Sequence, residues 1–305
     1  MSTDARQRLR LIAAFAVVYV VWGSTYFAIR IGVKDLPAAL LAGFRFTLAG
    51  IVLLAWTTLH SKLPPWRSRD WVPAMVMGTL MMVCANGLTT WAENWVPSNQ
   101  AALISVSSAL WIAWFGTFGR RGHALGVRAR IGLGLGFMGA ILMFVPGHGF
   151  SFEHLGAQLT ILVATVCWAA GAIYGRSLDL KTPPLMFAGM QMLFGGVVLV
   201  TVGLLSGEAV YWQWTVRGIG AMLYLAAFGS CLAFSTYVWL LRQTTPDKLS
   251  TVAYVNPAIA VVLGWVGLSE TLNHAQMVGM VVLLGGVILI NTPVRSLLRR
   301  VFQEQ

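Results

Sequence analysis

Residues 184–205 read PLMFAGMQMLFGGVVLVTVGLL, a run of 22 residues without a charged side chain. A helix needs about 20 apolar residues to cross the hydrocarbon core of a bilayer, so this run predicts a transmembrane helix. Nine other stretches have the same character, and their runs are continuous rather than alternating, which argues against a transmembrane β-barrel. The sequence therefore predicts an all-α integral membrane protein with ten transmembrane helices. The predicted segments are about 10–29, 37–59, 72–92, 98–118, 128–146, 155–175, 184–205, 218–241, 249–268 and 275–292.

The composition excludes the main alternatives to a membrane protein. Of the 305 residues, 57% are hydrophobic and 10% are charged, whereas about 25% of the residues in a soluble domain are charged. Such a chain cannot cover a water-facing surface, and it has too much apolar surface to remain disordered. The three cysteines fall inside apolar stretches, where they are interpreted as small hydrophobic residues rather than a disulfide or metal set.

The basic residues predict the orientation of the helices. Of the 21 lysines and arginines, 17 fall in the loops on one side, three fall on the other side, and Arg45 lies inside a segment. Basic residues accumulate in cytoplasmic loops, so both termini are predicted to be cytoplasmic. The same distribution explains the net charge of +11 by membrane topology, and nucleic acid is not expected as a partner.

Similar residues recur at a nearly constant distance along the chain. We therefore predict two repeats of five helices each, covering residues 10–146 and 155–292. Because five is odd, the second repeat should be inverted relative to the first. Inverted repeats place a substrate site at the bilayer midplane, between halves that rock against each other. The matching pairs are Trp22 with Trp168, Gly132 with Gly279, Gly139 with Gly286, and Pro97 with Pro246, at offsets of 146 to 149.

Several short motifs resemble those of EamA-type transporters in the drug/metabolite transporter superfamily. They are WGSTYFAIR at residues 22–30, GFRF at 43–46, AYVNP at 253–257 and LSE at 268–270. The resemblance covers about residues 10–292 and implies two five-helix repeats in the bacterial inner membrane. It further implies export of amino acids, other metabolites or drugs, and the amino-acid exporter branch is the most similar. The motifs identify the family and say little about the substrate.

Aromatic residues near the middle of predicted segments are candidates for a cavity wall. Tyr19, Trp22 and Tyr26 share one face of the first helix, and Trp111 and Trp168 lie near the middle of theirs. We expect these three tryptophans to approach one central space together with Ser108 and Tyr254. The alternative interpretation is ordinary packing between helices, in which each indole or phenol still needs a polar partner.

Polar residues at mid-depth are further candidates, because lipid penalises them. The alternative for these residues is hydrogen bonding between helices. The predicted substrate-binding set adds Asn86, Thr90, Ser105, Ser108, Phe234, Tyr237 and Tyr254 to the aromatic residues, and Ser230 shares a face with Phe234 and Tyr237.

Pro257 lies in the middle of the ninth segment, where proline removes a backbone hydrogen bond and favours a kink. The repeat offset relates Pro257 to Ser108, and serines in helices also favour bending. Ser108 and Pro257 are therefore predicted hinge points for gating, with a fixed structural kink as the alternative.

Arg45 is the only basic residue well inside a segment, about 12 Å from the outer end of the second helix at 1.5 Å per residue. It could contact a substrate carboxylate. The alternative is pairing with Glu93 or with helix-end carbonyls, with the side chain extending outward. Both residues are given a possible charge role.

The chain lacks the residue patterns of a membrane enzyme or cofactor protein. Its four lysines and five histidines lie in loops or at segment ends, and no HExxH pair supplies metal ligands. The sequence GLGFMG at residues 134–139 has the spacing of a nucleotide-binding loop but lies inside a predicted helix, where its glycines favour close helix packing. No catalytic residue, metal or cofactor is expected.

The sequence thus favours a secondary transporter that exports amino acids, neutral and aromatic ones included, and similar small metabolites by alternating access. A multidrug exporter is the alternative within transport, and an integral-membrane enzyme or sensor is the alternative outside it. The expected partners are the small-molecule substrate and the lipid bilayer. Two alternatives remain for the glycine-rich fifth and tenth helices: they pack against each other within the chain, or they pair with a second subunit. The sequence therefore predicts neither a monomer nor a homodimer. No acidic residue lies at mid-depth, which predicts facilitated movement or exchange rather than obligatory proton antiport.

Overall fold

The computed structural model of the chain describes residues 3–60, 68–118, 125–145 and 152–291. Within these residues the protein is helical and contains no strand, which confirms the all-α prediction. Ten helices of at least eight residues, α1 to α10, follow one another through the described ranges, besides a short 3-10 segment at Glu208–Tyr211 and a short helix at Pro246–Leu249. Seven of the ten are long and apolar enough to cross a membrane: α1, α2, α3, α6, α7, α8 and α10. The ten are α1 (Thr3–Gly32), α2 (Ala38–His60), α3 (Ser68–Ala92), α4 (Ser98–Ser105 and Ser108–Phe115), α5 (Val127–Leu142), α6 (Phe152–Ser177), α7 (Pro184–Leu205), α8 (Val216–Gln243), α9 (Val252–Leu268) and α10 (His274–Asn291).

The helix boundaries follow the prolines and the apolar runs. Pro37, Pro97 and Pro183 each lie directly before a helix, where proline is tolerated because no backbone donor is needed. Helix α1 begins at Thr3, about two turns before its predicted apolar segment. Its first turns carry exposed arginines, which fits a helix that extends beyond the bilayer. The predicted repeat ends at Pro146 and Thr292 lie outside the described residues.

Helices α3 and α8 each contain a π-helical segment, which the apolar pattern did not predict. These segments are Gly78–Gly87 in α3 and Leu225–Leu232 in α8, and their first residues are 147 positions apart. In α3, the Asn86 side-chain amide donates to the carbonyl of Met81 five residues earlier, at 2.8 Å. Asn86 therefore supports the wider turn of its own helix, and π segments are common at functional sites.

Helix α4 is interrupted at Val106 and Ser107, immediately before the predicted hinge at Ser108. The Ser107 hydroxyl lies 3.1 Å from the hydroxyl of Thr165 on α6, which holds the interruption against a neighbouring helix. Helix α9 passes through Pro257 as a continuous helix. Hinge motion at Ser108 and Pro257 stays a prediction.

Glycines bring two helix pairs into backbone contact. A Cβ on Gly139 of α5 would lie 2.7 Å from the carbonyl oxygen of Gly279 on α10. In the other pair, a Cβ on Gly196 of α7 would lie 2.3 Å from the amide nitrogen of Thr47 on α2. The glycine faces of α5 and α10 therefore pack against each other within the chain, as the first of the two alternatives expected.

The packing partners of the two halves correspond. Helix α1 packs against α8 and α9, and α6 packs against α3 and α4. Helix α2 packs against α7 and α8, and α7 packs against α2 and α3. Each of these helix contacts of α1 and α2 with the second half therefore has a counterpart five helices along the chain.

Candidate functional site

The π segment of α8 lies where α1 and α2 of the first half meet the second half. Trp22 on α1 donates its indole N–H to the carbonyl of Gly229 in this segment, at 3.0 Å. The Trp22 ring also packs against Phe234 and Tyr237 on α8, with centroid distances of 6.5 and 5.0 Å. Three of the predicted residues therefore form one aromatic group across the two halves.

Arg45 on α2 reaches the same π segment. Its Nε donates to the Ser230 hydroxyl at 3.0 Å, and its guanidinium carbon lies 4.6 Å from the centre of the Phe46 ring. Only 6% of Arg45 is exposed. The ion pair with Glu93, which was one of the alternatives, is not formed, since among the described residues only Ser230 accepts a hydrogen bond from this side chain.

Gly229 allows this approach because it has no side chain. A Cβ at Gly229 would lie 3.4 Å from a terminal nitrogen of Arg45 and 3.2 Å from the Thr25 methyl group. The carbonyl of the same residue accepts from Trp22. The aromatic group and the buried guanidinium are therefore adjacent, separated by the backbone of one glycine.

Glu93 is the second buried charged residue of this region. It follows α3 directly, has no exposed surface, and neither carboxylate oxygen has a hydrogen-bond partner. Arg30 donates to the backbone carbonyl of Glu93, so its hydrogen bond does not reach the carboxylate. Arg30, Glu270 and Arg45 are the charged groups that interact electrostatically with Glu93.

Glu270, in contrast, is fully engaged. Its carboxylate accepts from the Ser98 backbone N–H and hydroxyl, both at 2.8 Å, and from the Asn99 backbone N–H at 3.0 Å. These donors form the first turn of α4, where a carboxylate is favoured by the free N–H groups and the helix dipole. The Asn99 side chain is 1% exposed and has no partner at either polar atom.

Tyr26 links this cluster to α4. Its hydroxyl lies close enough to Ser105, Glu93 and Arg45 for electrostatic interaction, and its ring packs against a fully buried cluster that includes Ala101 and Ile104. The Ser105 hydroxyl donates to the Ala101 carbonyl at 2.8 Å. The structure thus brings Tyr26, Ser105, Arg45 and Glu93 into one region.

Three other predicted residues make contacts of their own. The Tyr19 hydroxyl hydrogen bonds to the Thr251 hydroxyl beside α9, and Tyr254 lies within electrostatic range of Tyr19. The Thr90 hydroxyl donates to the Asn86 carbonyl of its own helix at 2.8 Å.

Trp111 belongs to a different aromatic group from Trp22. It packs against Phe137 of α5 with a centroid distance of 4.8 Å, and its indole nitrogen is buried without a partner. Ser108 and Trp168 are half-buried, and within the described residues Trp168 makes no ring contact. The expectation that the three tryptophans share a central space stays a prediction.

Two polar contacts outside the apolar segments were not predicted. Asp35 after α1 accepts from the Arg217 Nε at 2.8 Å and from the Thr215 hydroxyl at 2.6 Å. The Arg217 guanidinium and the Thr215 hydroxyl lower the pKa of Asp35 from its ordinary value to about 2. In the other contact, the Thr182 hydroxyl donates to the Asp70 carboxylate. Thr182 lies 147 positions after Asp35, and Arg217 lies 147 positions after Asp70.

Comparison with known proteins identifies the family. The model of the EamA-like transporter family matches the chain twice, at residues 9–145 and 155–292. The chain belongs to the EamA-like transporter family. The family resemblance stated from the sequence motifs is thereby confirmed, and the protein is a membrane transporter.

Two relatives match this EamA-like protein over most of both chains. An Escherichia coli K12 protein named as the uncharacterized inner membrane transporter YedA is 37% identical over 93% of this chain and 92% of its own length. The uncharacterized transporter YvbV of Bacillus subtilis is 25% identical over 96% and 94%. A solved crystal structure that is 17% identical superposes with a TM-score of 0.62 over 97% of this chain and 99% of the other. That likeness supports the fold.

Proposed function

We propose that this EamA-like protein is a secondary transporter that exports amino acids and similar small metabolites across the bacterial inner membrane by alternating access. The observation that carries the proposal is the buried Arg45, which contacts α8 of the opposite half. A guanidinium inside a membrane protein is costly and usually serves function. Arginine is also well suited to bind a carboxylate through paired N–H groups, and amino acids carry such a group.

Alternating access is supported by the relation between the halves. Successive helices joined by short loops run antiparallel, so α1 and α6 run in opposite directions. The corresponding packing of the two halves then fits a two-fold axis in the membrane plane. Transporters with such inverted repeats bind substrate between the repeats and expose it to each side in turn. Trp22 and Arg45 belong to the first half and the α8 π segment belongs to the second, so their contacts lie at the boundary between the halves.

Broad specificity for neutral and aromatic amino acids is supported by the aromatic group next to Arg45. Trp22, Phe234 and Tyr237 offer ring faces and edges rather than fixed charges, and such a surface accommodates apolar side chains of different shapes. The inner-membrane location is supported by the printed name of the YedA relative and by the predicted cytoplasmic termini.

A multidrug exporter is a second candidate, and one observation favours it. Glu93 is a buried carboxylate without a hydrogen-bond partner, and a lipophilic cation could satisfy it beside aromatic rings. The amino-acid exporter and the multidrug exporter are therefore distinguished by which labelled compound leaves the vesicles in one assay.

The test is efflux from proteoliposomes loaded with individual labelled amino acids, run beside a labelled lipophilic cation. Efflux of neutral and aromatic amino acids above protein-free vesicles supports the proposal. Inert amino acids together with efflux of the lipophilic cation would replace it with the drug exporter.

A further inference from the structure

The carboxylate of Glu93 has no hydrogen-bond partner, unlike the carboxylates of Glu270 and Asp35. Glu270 is used by the first turn of α4, and Asp35 is used by Arg217. Both oxygens of Glu93 are buried and unpartnered. Buried polar atoms are almost always hydrogen bonded, and an exception needs an explanation such as a ligand.

Arg45 has hydrogen-bonding capacity that its partner does not use. A guanidinium carries five N–H donors, and within the described residues only Nε donates, to Ser230. A terminal nitrogen of Arg45 lies beside Gly229, where a Cβ would be 3.4 Å from it, and that nitrogen donates to no group among the described residues. The N–H groups of the terminal nitrogens therefore remain for a ligand.

The two opposite charges interact without forming an ion pair. Glu93 and Arg45 are each within electrostatic range of the other, and Tyr26 lies within range of both. An acid and a base this deeply buried usually pair directly, because the attraction offsets part of the cost of leaving water. Because they do not pair, the Glu93 carboxylate keeps two unpartnered acceptors, and Arg45 keeps donors that Ser230 does not use.

We propose that Glu93 and Arg45 are the two ends of a binding site for a zwitterion, with the ammonium group at the Glu93 carboxylate and the carboxylate at the terminal N–H groups of Arg45. The inference rests on the proposed function and specifies its substrate class as compounds carrying both charges, with neutral amino acids as the simplest case. One zwitterion supplies a hydrogen-bonded partner to each buried charge and leaves the net charge of the site unchanged.

The surroundings of Arg45 also predict which side chains are preferred. The Trp22 indole is hydrogen bonded to Gly229, and Gly229 adjoins the guanidinium. A substrate whose carboxylate contacts Arg45 would therefore hold its side chain beside the Trp22, Phe234 and Tyr237 rings. Large apolar and aromatic side chains should bind more tightly than glycine or serine.

The test compares three probes as competitors of labelled phenylalanine transport in proteoliposomes. Phenylalanine carries both charges, 3-phenylpropionate lacks the ammonium group, and 2-phenylethylamine lacks the carboxylate. In the unmodified protein, phenylalanine should compete at least tenfold better than either analogue. A hydrogen bond to a charged group contributes about 1.5 to 3 kcal/mol, so losing it should weaken binding about 10- to 100-fold.

The variants separate the two ends of the site. E93Q should weaken competition by phenylalanine about 10- to 100-fold and leave competition by 3-phenylpropionate unchanged. R45Q should weaken phenylalanine and 3-phenylpropionate and leave 2-phenylethylamine unchanged, and Arg45→Lys should restore part of the loss. The exposed Asp179→Asn is the matched control, and melting temperatures in detergent verify folding. If R45Q does not fold, E93Q alone decides.

Three results would overturn the inference. E93Q could bind phenylalanine as tightly as the unmodified protein, or it could lose 3-phenylpropionate and phenylalanine equally. E93Q could also keep its phenylalanine affinity while its transport is no longer accelerated by a pH gradient. That result would make Glu93 a proton-binding group rather than a substrate-binding one. If the unmodified protein transports no amino acid at all, the proposed function fails, and that result differs from the other three.

Discussion

The backbones of Gly136 on α5 and Gly286 on α10 are in direct contact. A Cβ on Gly286 would lie 2.5 Å from the amide nitrogen of Gly136 and 2.6 Å from the carbonyl oxygen of Gly132. Side-chain atoms cannot approach backbone atoms so closely. The contact between α5 and α10 therefore requires glycine at this position.

Replacing Gly286 with alanine should destabilise the protein. The added methyl group forces the two helices apart, and overpacking of this kind costs about 1 to 3 kcal/mol. The melting temperature of the detergent-solubilised variant should fall. Gly285→Ala is the matched control, because a Cβ at Gly285 has no atom within 4 Å, and alanine favours the helix. Equal melting temperatures for both variants would contradict the described packing.

Asp35→Asn should lower stability at neutral pH and remove a pH dependence seen in the unmodified protein. Because the pKa of Asp35 is depressed from 3.8 to about 2 in the folded state, its contribution is fully present above pH 4. It is lost as the pH falls through about 2. Melting curves of both proteins between pH 2 and 7 should therefore differ most at pH 5 to 7 and converge toward pH 2. A constant difference across the range would be inconsistent with the Asp35–Arg217 pair.

Cysteine labelling should place Asn94 outside the cell and Ser177 inside. Both side chains are exposed; Asn94 lies between α3 and α4, Ser177 lies at the end of α6, and the two positions are on opposite predicted sides. Each cysteine is introduced after Cys84, Cys167 and Cys231 are replaced with alanine. A membrane-impermeant maleimide should label Asn94→Cys in intact cells and label Ser177→Cys only after permeabilisation. The reverse pattern would overturn the predicted orientation of the termini.

Trp22→Phe should weaken transport of aromatic amino acids. The change keeps a ring beside Phe234 and Tyr237 but removes the hydrogen bond that orients the Trp22 ring on Gly229. A displaced ring loses part of an aromatic contact with the substrate worth about 0.5 to 1.5 kcal/mol, so the KM for phenylalanine should rise about two- to tenfold. Trp91→Phe, at the exposed end of α3, is the control and should leave KM unchanged. Equal effects of the two substitutions would remove Trp22 from the proposed site.

Much of the helical architecture could be predicted from apolar runs, because lipid requires continuous helices of nearly fixed length. Arg45 was also visible, since a charge inside an apolar run stands out. The π segments were not predicted, because hydrophobicity does not distinguish a wider helical turn from an ordinary one. The predicted orientation depends partly on basic residues at 61–67 and 119–124, which lie outside the described residues.

The interactions of Arg45 and Glu93 depend on distant parts of the chain. Arg45 meets Ser230, 185 positions away, and Arg30 meets the Glu93 backbone, 63 positions away. The sequence left a substrate carboxylate, Glu93 and helix-end carbonyls as alternative partners of Arg45. The fold instead supplies each arginine with a neutral oxygen acceptor and leaves the Glu93 carboxylate unpartnered, an outcome that no local spacing encodes.

Counterflow of a neutral amino acid in the absence of ion gradients tests the central claim most directly. Proteoliposomes loaded with unlabelled phenylalanine are diluted into buffer of the same pH and ionic composition containing a trace of labelled phenylalanine. The account predicts transient accumulation of label above its external concentration, because exchange through one alternating site needs no other driving force. Absence of accumulation without a pH gradient, with accumulation once the gradient is imposed, would contradict it.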